Sequence, residues 1–289
     1  MNDLALVGKT ALITGVSRRR GIGFAVATEL ARLGASVFVQ HYRPHDERLP
    51  WGGDDIDAML HQLRAELVGD ARLGQQSADL RDAAACDDLI DAAHALTGRV
   101  DILICNHARS GGDGSVLDLT ADTLDQFWDT NTRSTLLLTA AFARRASGRS
   151  APSARPGDRA ASPQHVTAPV ARVFWMTSGQ LHGPMRGEVA YATSKAALAG
   201  VTATVAAELL DLGIVLNTIN PGPVNTGYLD PESTDRDLDQ IDQVISQLPF
   251  GRFGTPADPA ALISWLCTDA GAWVVGQVLT SDGGFSLVD

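Results

Sequence analysis

The chain is poor in lysine, cysteine and aromatic residues, and each shortage narrows what it can be. Lysine occurs only at Lys9 and Lys195, so nearly all basic charge is arginine. Cys86, Cys105 and Cys267 are scattered; they match no metal-ligand spacing and cannot all pair with one another. A disulfide scaffold or zinc ribbon is thereby excluded, and buried, reduced thiols are expected. No His/Asp/Glu cluster suggests a metal site. Aromatic residues make up 6% of the chain, and no apolar run nears the ~18 residues of a membrane-spanning helix. Met1 leads towards Lys9 without a basic and then apolar leader, so a cytoplasmic protein is expected. With 34 acidic against 23 basic residues, the formal net charge of -11 argues against nucleic acid or anionic membrane as a general partner.

What remains is the composition of a large soluble domain: 289 residues, 45% hydrophobic and 20% charged, expected as one unit over 1–289. Short apolar runs at 9–14, 36–41, 73–78, 101–105, 172–177, 214–219 and 274–280 read as strands. Amphipathic stretches at 22–33, 56–67, 83–96, 121–146, 188–212 and 256–268 read as helices, with Gly34, Gly98 and Gly213 as stops. This alternation predicts an α/β fold of Rossmann type: a doubly wound parallel sheet of about seven strands with helices on both faces. Two stretches break the rhythm. Residues 147–169 hold Pro152, Pro156, Pro163 and Pro169 among Ser, Ala and Arg, and read as a disordered surface insertion. Residues 227–250 are polar, acidic and irregular; they read as a substrate lid, or else as a solvated helix face, and their acidity disfavours strongly anionic substrates.

Chemistry concentrates in a few motifs. Lys195 stands four residues after Tyr191, which places both on one face of a helix. An ammonium beside a phenol favours the phenolate, making the pair a candidate general acid/base. Gly15, Gly21 and Gly23 punctuate Thr14-Gly15-Val16-Ser17-Arg18-Arg19-Arg20-Gly21-Ile22-Gly23 between the first strand and the first helix. Such glycines let backbone N–H groups approach a pyrophosphate, which the helix N-terminus also attracts. Taken alone, the pattern is also that of an ordinary strand-to-helix turn. Ser178 closes the fifth strand thirteen residues before Tyr191, and Asn131 lies mid-helix, where its propensity is poor.

Together these residues resemble the short-chain dehydrogenase/reductase family over nearly the whole chain. The glycine turn is two residues longer than the usual one, and with Pro50-Trp51 it looks most like a 3-oxoacyl-carrier-protein-reductase-like subgroup. The resemblance implies hydride transfer between a nicotinamide and a carbonyl or secondary alcohol. Tyr191 would be the general acid/base and Ser178 would polarise the substrate oxygen. Lys195 would lower the tyrosine pKa and hold the nicotinamide ribose, and Asn131 would position a relay water. It further implies cofactor contacts from Gly15, Ser17, Arg18, Arg20, Gly21, Ile22, Gly23, Asn106, Tyr191 and Lys195. Asp79 would meet the adenine amino group with Leu80 beside it, though Asp79 also reads as a helix N-cap. In Asn220-Pro221-Gly222-Pro223-Val224-Asn225-Thr226, Pro221, Gly222, Val224 and Thr226 would grip the carboxamide.

No acidic residue follows the second strand in Val39-Gln40-His41-Tyr42-Arg43, while Arg18, Arg19, Arg20 and Arg43 are available to a 2′-phosphate. NADP(H) is therefore expected over NAD(H), unless those arginines are simply solvated. Candidate substrate contacts are His107, Gln180, His182, Met185 and Tyr228, with a small carbonyl or alcohol as partner. His107 and Arg109 read either as polar selectors or as exposed loop residues. The alternatives are an NAD-dependent alcohol dehydrogenase of the same fold and a non-catalytic dinucleotide sensor. The resemblance also implies a homo-oligomer, a tetramer or dimer, with contacts on the small-residue run 196–207 and near 276–285.

Overall fold

The computed structural model describes residues 4–50, 52–148, 168–230, 232 and 238–287. Trp51, most of the 147–169 insertion and the centre of the lid lie outside that set. The seven strands are β1 (Thr10–Ile13), β2 (Ser36–His41), β3 (Leu73–Ser77), β4 (Ile102–Cys105), β5 (Ala171–Met176), β6 (Ile214–Asn220) and β7 (Val278–Thr280). They form one parallel sheet in the order β3-β2-β1-β4-β5-β6-β7. The chain starts at β1, builds outward to β3, and returns to place β4 on the other side of β1. Both halves therefore diverge between β1 and β4, which opens a crevice above the strand C-termini.

The central strands β1, β2, β4, β5 and β6 are buried at every residue, which explains their near-continuous apolar runs. Helices α1 (Ile22–Arg32), α3 (Ile56–Arg64) and α9 (Ala257–Cys267) cover one face, burying Val26, Leu30, Met59, Leu63 and Ile263 against it. On the other face lie α4 (Ala83–Thr97), α6 (Ser134–Ser147) and α7 (Val189–Leu210) around Leu89, Phe142, Trp175 and Leu198. Trp175 is fully buried yet satisfied, its Nε1 donating to the Thr139 hydroxyl at 2.9 Å. Local signals fix several helix ends: Asp82 caps α4, whose C-terminus stops at Gly98 with φ +84°. Asp79 does not fill that capping role. The cysteines are all buried and unpaired.

Three departures from the expected elements concern the site. The helix expected over 121–146 is two: α5 (Ala121–Phe127) and α6, joined by a π-helical turn at Trp128–Arg133 that contains Asn131. A short helix, α2 (Arg43–Asp46), follows β2. Within the expected lid, Leu238–Gln247 form a helix, α8, rather than irregular chain. The last strand is shorter than expected because 274–277 run as loop before Val278. Among the described residues, no helix is long and apolar enough to cross a membrane.

Candidate active site

The lengthened glycine turn is held from below by two polar side chains. Gln40 accepts from the Gly15 N–H at 2.9 Å and donates to the Ala78 carbonyl at 2.7 Å. Asn106 donates to the carbonyls of Thr14 and Gly15, each at 3.1 Å. The fit leaves no room for a side chain: a Cβ on Gly15, whose φ is +70°, would lie 2.7 Å from the His107 Cα, and one on Gly23 would lie 2.6 Å from the Asn106 amide. Each residue of the extended turn is then held by its surroundings. Val16 is buried, Ser17 hydrogen-bonds the Asp46 carboxylate, Arg19 pairs with Asp54, and Arg20 pairs with Asp230. Arg18 reaches across the crevice to the Thr226 carbonyl at 2.9 Å and its hydroxyl at 3.2 Å, with Asp46 3.5 Å away.

Gly21 is the N-cap of α1 and brings no side chain to the first N–H groups of that helix. An uncapped helix N-terminus above a glycine turn, with a guanidinium alongside, fits a pyrophosphate. Of the other residues expected to hold the cofactor, Gly222 has φ +65° and touches Asp282 so closely that a Cβ would clash at 2.4 Å. Val224 is buried in a bridge to Gly254, and Leu80 is a core residue. The Asp79 carboxylate already accepts from the backbone N–H of Arg81 at 3.0 Å and from its guanidinium. The crevice is distinct from a cavity of about 710 Å³ behind the turn, between α1 and residues 251–257, which none of the candidate catalytic residues lines.

At the end of β5 the chain presents Ser178, whose hydroxyl stands close enough to the Tyr191 phenol to lower its pKa. Tyr191 and Lys195 lie one turn apart on α7, with the ammonium 5.8 Å from the centre of the phenol ring. Lys195 is 2% exposed, and its ammonium donates to the Met176 carbonyl at 2.9 Å. Burial pushes the Tyr191 phenol up to about 12, opposed by the nearby Ser178 hydroxyl. Burial also pushes Lys195 down to about 8. Asn131 is fully buried and its side chain is spent: it accepts from the Arg109 N–H at 2.7 Å and donates to the Arg109 carbonyl at 3.2 Å and the Ser194 hydroxyl at 2.9 Å. Its amide thus braces the site, and only its backbone could serve a relay. Thr135 donates to that carbonyl at 2.9 Å.

The candidate substrate residues divide. Met185 packs its sulfur 3.9 Å from the Ser178 hydroxyl, and Tyr228 is close enough to Tyr191 to raise its pKa. Gln180 donates to Thr177 at 2.9 Å and leaves its buried Oε1 without a partner among the described residues. His182 bonds Thr280 at 2.8 Å. His107 is placed elsewhere than at a substrate mouth. It is 7% exposed, with Nδ1 2.6 Å from the Thr14 hydroxyl and Nε2 2.7 Å from that of Ser134. Because Ser134 gives its own proton to Thr130, Nε2–H must donate to Ser134 while Nδ1 accepts from Thr14. Burial pushes this imidazole down to about 3, so it is a neutral clasp between β1 and the π-helical turn. The selector reading of His107 therefore gives way to a structural one.

Sequence reasoning read Arg109 only as a selector or a loop residue, and it missed two others that shape the site, Asp46 and Asp113. Arg109 lies over the Phe127 ring at 5.2 Å, and that ring meets Tyr191 edge-on at 6.4 Å. Asp46 holds Ser17 and Arg18. Asp113 receives N–H groups from the start of α7. The one sequence signal for Asp113 was indirect: the helix bearing Tyr191 opens at Glu188, a weak capping residue, so its cap had to come from elsewhere.

Comparison with known proteins gives the family. Residues 9–151 match the family described as short chain dehydrogenase, and residues 150–286 match that described as enoyl-(acyl carrier protein) reductase. The chain is 34% identical over 279 residues to YjdA, an uncharacterized oxidoreductase of Bacillus subtilis, covering 96% of both. It is 32% identical to a cyclohexanol dehydrogenase of Rhodococcus, covering 99% of this chain and 98% of that one. A short-chain dehydrogenase/reductase structure from Serratia marcescens superposes with a TM-score of 0.76 at 26% identity, over 98% of this chain and 99% of the other. The chain belongs to the short-chain dehydrogenase/reductase family.

Proposed function

We propose that the protein is an NADP(H)-dependent oxidoreductase that interconverts a carbonyl and a secondary alcohol, reducing in its preferred direction. The observation that carries this reading is the Ser178–Tyr191 hydroxyl pair with the Lys195 ammonium beneath the phenol ring, at the carboxyl edge of the sheet beside the uncapped α1 N-terminus. A bound nicotinamide supplies or accepts the hydride. Ser178 holds the substrate oxygen, and Tyr191 donates the proton to the forming alkoxide. A phenol near 12 stays protonated at neutral pH, which suits a general acid better than a general base. Lys195 holds positive charge below its value of about 8 and so stabilises the phenolate left when Tyr191 gives up its proton. The likeness of residues 150–286 to an enoyl reductase family does not extend to its chemistry here. Enoyl reductases of the related divergent type separate their Tyr and Lys by more than the four residues found in this chain.

For the cofactor, the arginines expected to take a 2′-phosphate all have carboxylate partners: Arg18 with Asp46, Arg19 with Asp54, Arg20 with Asp230 and Arg43 with Glu47. Arg48 and Arg109 form no ion pair among the described residues, and the Arg109 Nε is buried without a partner. Segments 43–50 and 109–112 meet where Leu49 packs on Gly111. Arg48 and Arg109 lower the pKa of the nearby His45, which burial already lowers, so like charges gather at this rim of the crevice. In a chain of net charge -11, a local cationic rim supports NADP(H) over NAD(H). Placement in the 3-oxoacyl-carrier-protein-reductase-like subgroup rests on the lengthened turn. A homo-oligomer is supported by the exposed small residues Ala196, Gly200, Ala203 and Ala207 on α7, beside the half-exposed Trp128.

The test is a panel of ketones and aldehydes monitored by loss of NADPH absorbance, run beside the same panel with NADH. Turnover with at least one carbonyl, abolished in Tyr191→Phe, is expected. Nucleotide binding with no turnover across a broad panel, in both directions, would favour the sensor alternative.

A further inference from the structure

A 22-residue helix that begins at Val189 has its first N–H groups to satisfy, and its N-cap residue, Glu188, accepts no cap hydrogen bond. The acceptors come from a loop some 75 residues earlier in the chain. The Val189 N–H reaches the Gly114 carbonyl at 3.4 Å. The next two reach one carboxylate: Ala190 N–H to Asp113 Oδ1 at 3.2 Å and Tyr191 N–H to Asp113 Oδ2 at 2.7 Å. Asp113 Oδ1 also accepts from the Gly114 N–H at 2.7 Å, which fixes the carboxylate in its own loop. The shortest of the bonds between loop and helix is the one to the backbone of Tyr191.

This loop is tied at two other points to the same centre. At its start, Asn106 grips the carbonyls of Thr14 and Gly15 in the glycine turn. Three residues on, the N–H and carbonyl of Arg109 are clasped by the Asn131 amide. Residues 106–114 thus run as a strap across the nucleotide turn, the π-helical turn and the helix that carries the phenol. Asp113 is its last fastening.

We propose that Asp113 is a positioning residue for Tyr191: its carboxylate caps α7 from outside and sets the height of the phenol above the crevice. The proposal rests on Tyr191 being the proton donor. A carboxylate suits the task because it offers acceptors on both oxygens and meets the positive end of the helix. An amide of the same shape offers one acceptor and turns an NH₂ towards a backbone N–H. The isosteric change is therefore the informative one.

Asp113→Asn and Asp113→Ala would be compared with the parent by four measurements: kcat and KM for an active carbonyl, NADPH affinity by fluorescence, thermal midpoint, and amide exchange at Ala190 and Tyr191. The expected result is exchange at those two amides about five- to tenfold faster, as follows from loss of a cap. It is accompanied by a kcat lower by about 10- to 100-fold, since misplacing a reacting group by an ångström can cost 10²-fold. NADPH affinity and KM stay near parent values, and Asn falls between Asp and Ala. If kcat per folded molecule stays within about twofold of the parent while only the thermal midpoint drops, Asp113 is an ordinary helix cap and the proposal fails. Should Ala not fold, the Asn variant alone decides by the same criteria. If the parent turns over no carbonyl, the assignment of Tyr191 fails separately, and unchanged exchange at Ala190 and Tyr191 in the variants would then refute the clamp itself.

Discussion

Replacing Lys195 by methionine should make the protein more stable and nearly inactive. The lysine is 2% exposed, and burial moves it from its ordinary 10.5 to about 8. Below pH 8 both folded and unfolded chains carry the proton, and the folded state bears the whole cost of the buried charge. Between 8 and 10.5 the unfolded chain keeps a proton that the folded chain has released, so the cost fades as pH rises; above 10.5 it is gone. At neutral pH that difference corresponds to about 3 kcal/mol. Methionine fills much of the same volume without charge but gives up the bond to the Met176 carbonyl, a loss of about 1–2 kcal/mol. The net gain of about 1–2 kcal/mol should raise the thermal midpoint by roughly 2–8 °C at this chain length. The assay is calorimetry of parent and variant, free of nucleotide, from pH 7 to 10. Buried thiols at Cys86, Cys105 and Cys267, all pushed up by burial, erode stability above pH 9 in both proteins alike, so the difference between the two is what is read. The gap should be widest near pH 7 and shrink steadily above 8. A variant that melts below the parent at pH 7, or a gap that does not narrow with pH, would refute the argument that the charge is held against the fold's own stability.

Three further outcomes follow from the site. Tyr191→Phe should lose about 10²–10⁴-fold in kcat with NADPH affinity nearly unchanged, measured by steady-state kinetics and fluorescence titration; more than about a tenth of parental kcat would contradict its role as acid. Arg48→Ala and Arg109→Ala should each raise the KM for NADPH by about 10-fold or more while leaving that for NADH in place, because each charge-assisted bond contributes about 1.5–3 kcal/mol. Equal losses with both nucleotides would show that these arginines do not read the 2′-phosphate. Gly15→Ala should weaken binding of either nucleotide and lower the thermal midpoint, since its Cβ would stand 2.7 Å from the His107 backbone at φ +70°. A variant binding NADPH as the parent does would mean that the turn can shift as a unit.

What could be read from the chain and what could not divide along sequence separation. Strands such as 36–41 were legible because burial on both faces demands an unbroken apolar run, and the turn at Gly15–Gly23 because only glycine tolerates its close approaches. Tyr191, Lys195 and Ser178 were legible because a spacing of four on a helix and a strand-to-helix return are short-range geometry. Asn131 was found by its awkwardness in a helix, but not the π-helical turn that accommodates it, since that turn is set by bonds to Arg109 and Ser194 far along the chain. The arginines were counted correctly and partnered wrongly. Composition reveals how many cations exist, whereas their availability depends on which carboxylate, Asp46, Asp54, Asp230 or Glu47, the fold brings beside each. The same holds for His107, whose type suggested chemistry until the Thr14 and Ser134 hydroxyls occupied both ring nitrogens. In this chain the reacting groups are declared locally and the groups that aim them are supplied from a distance. On the proposed role of Tyr191, a substitution at Asp113 in the strap should therefore alter catalysis without touching any residue that a motif would mark.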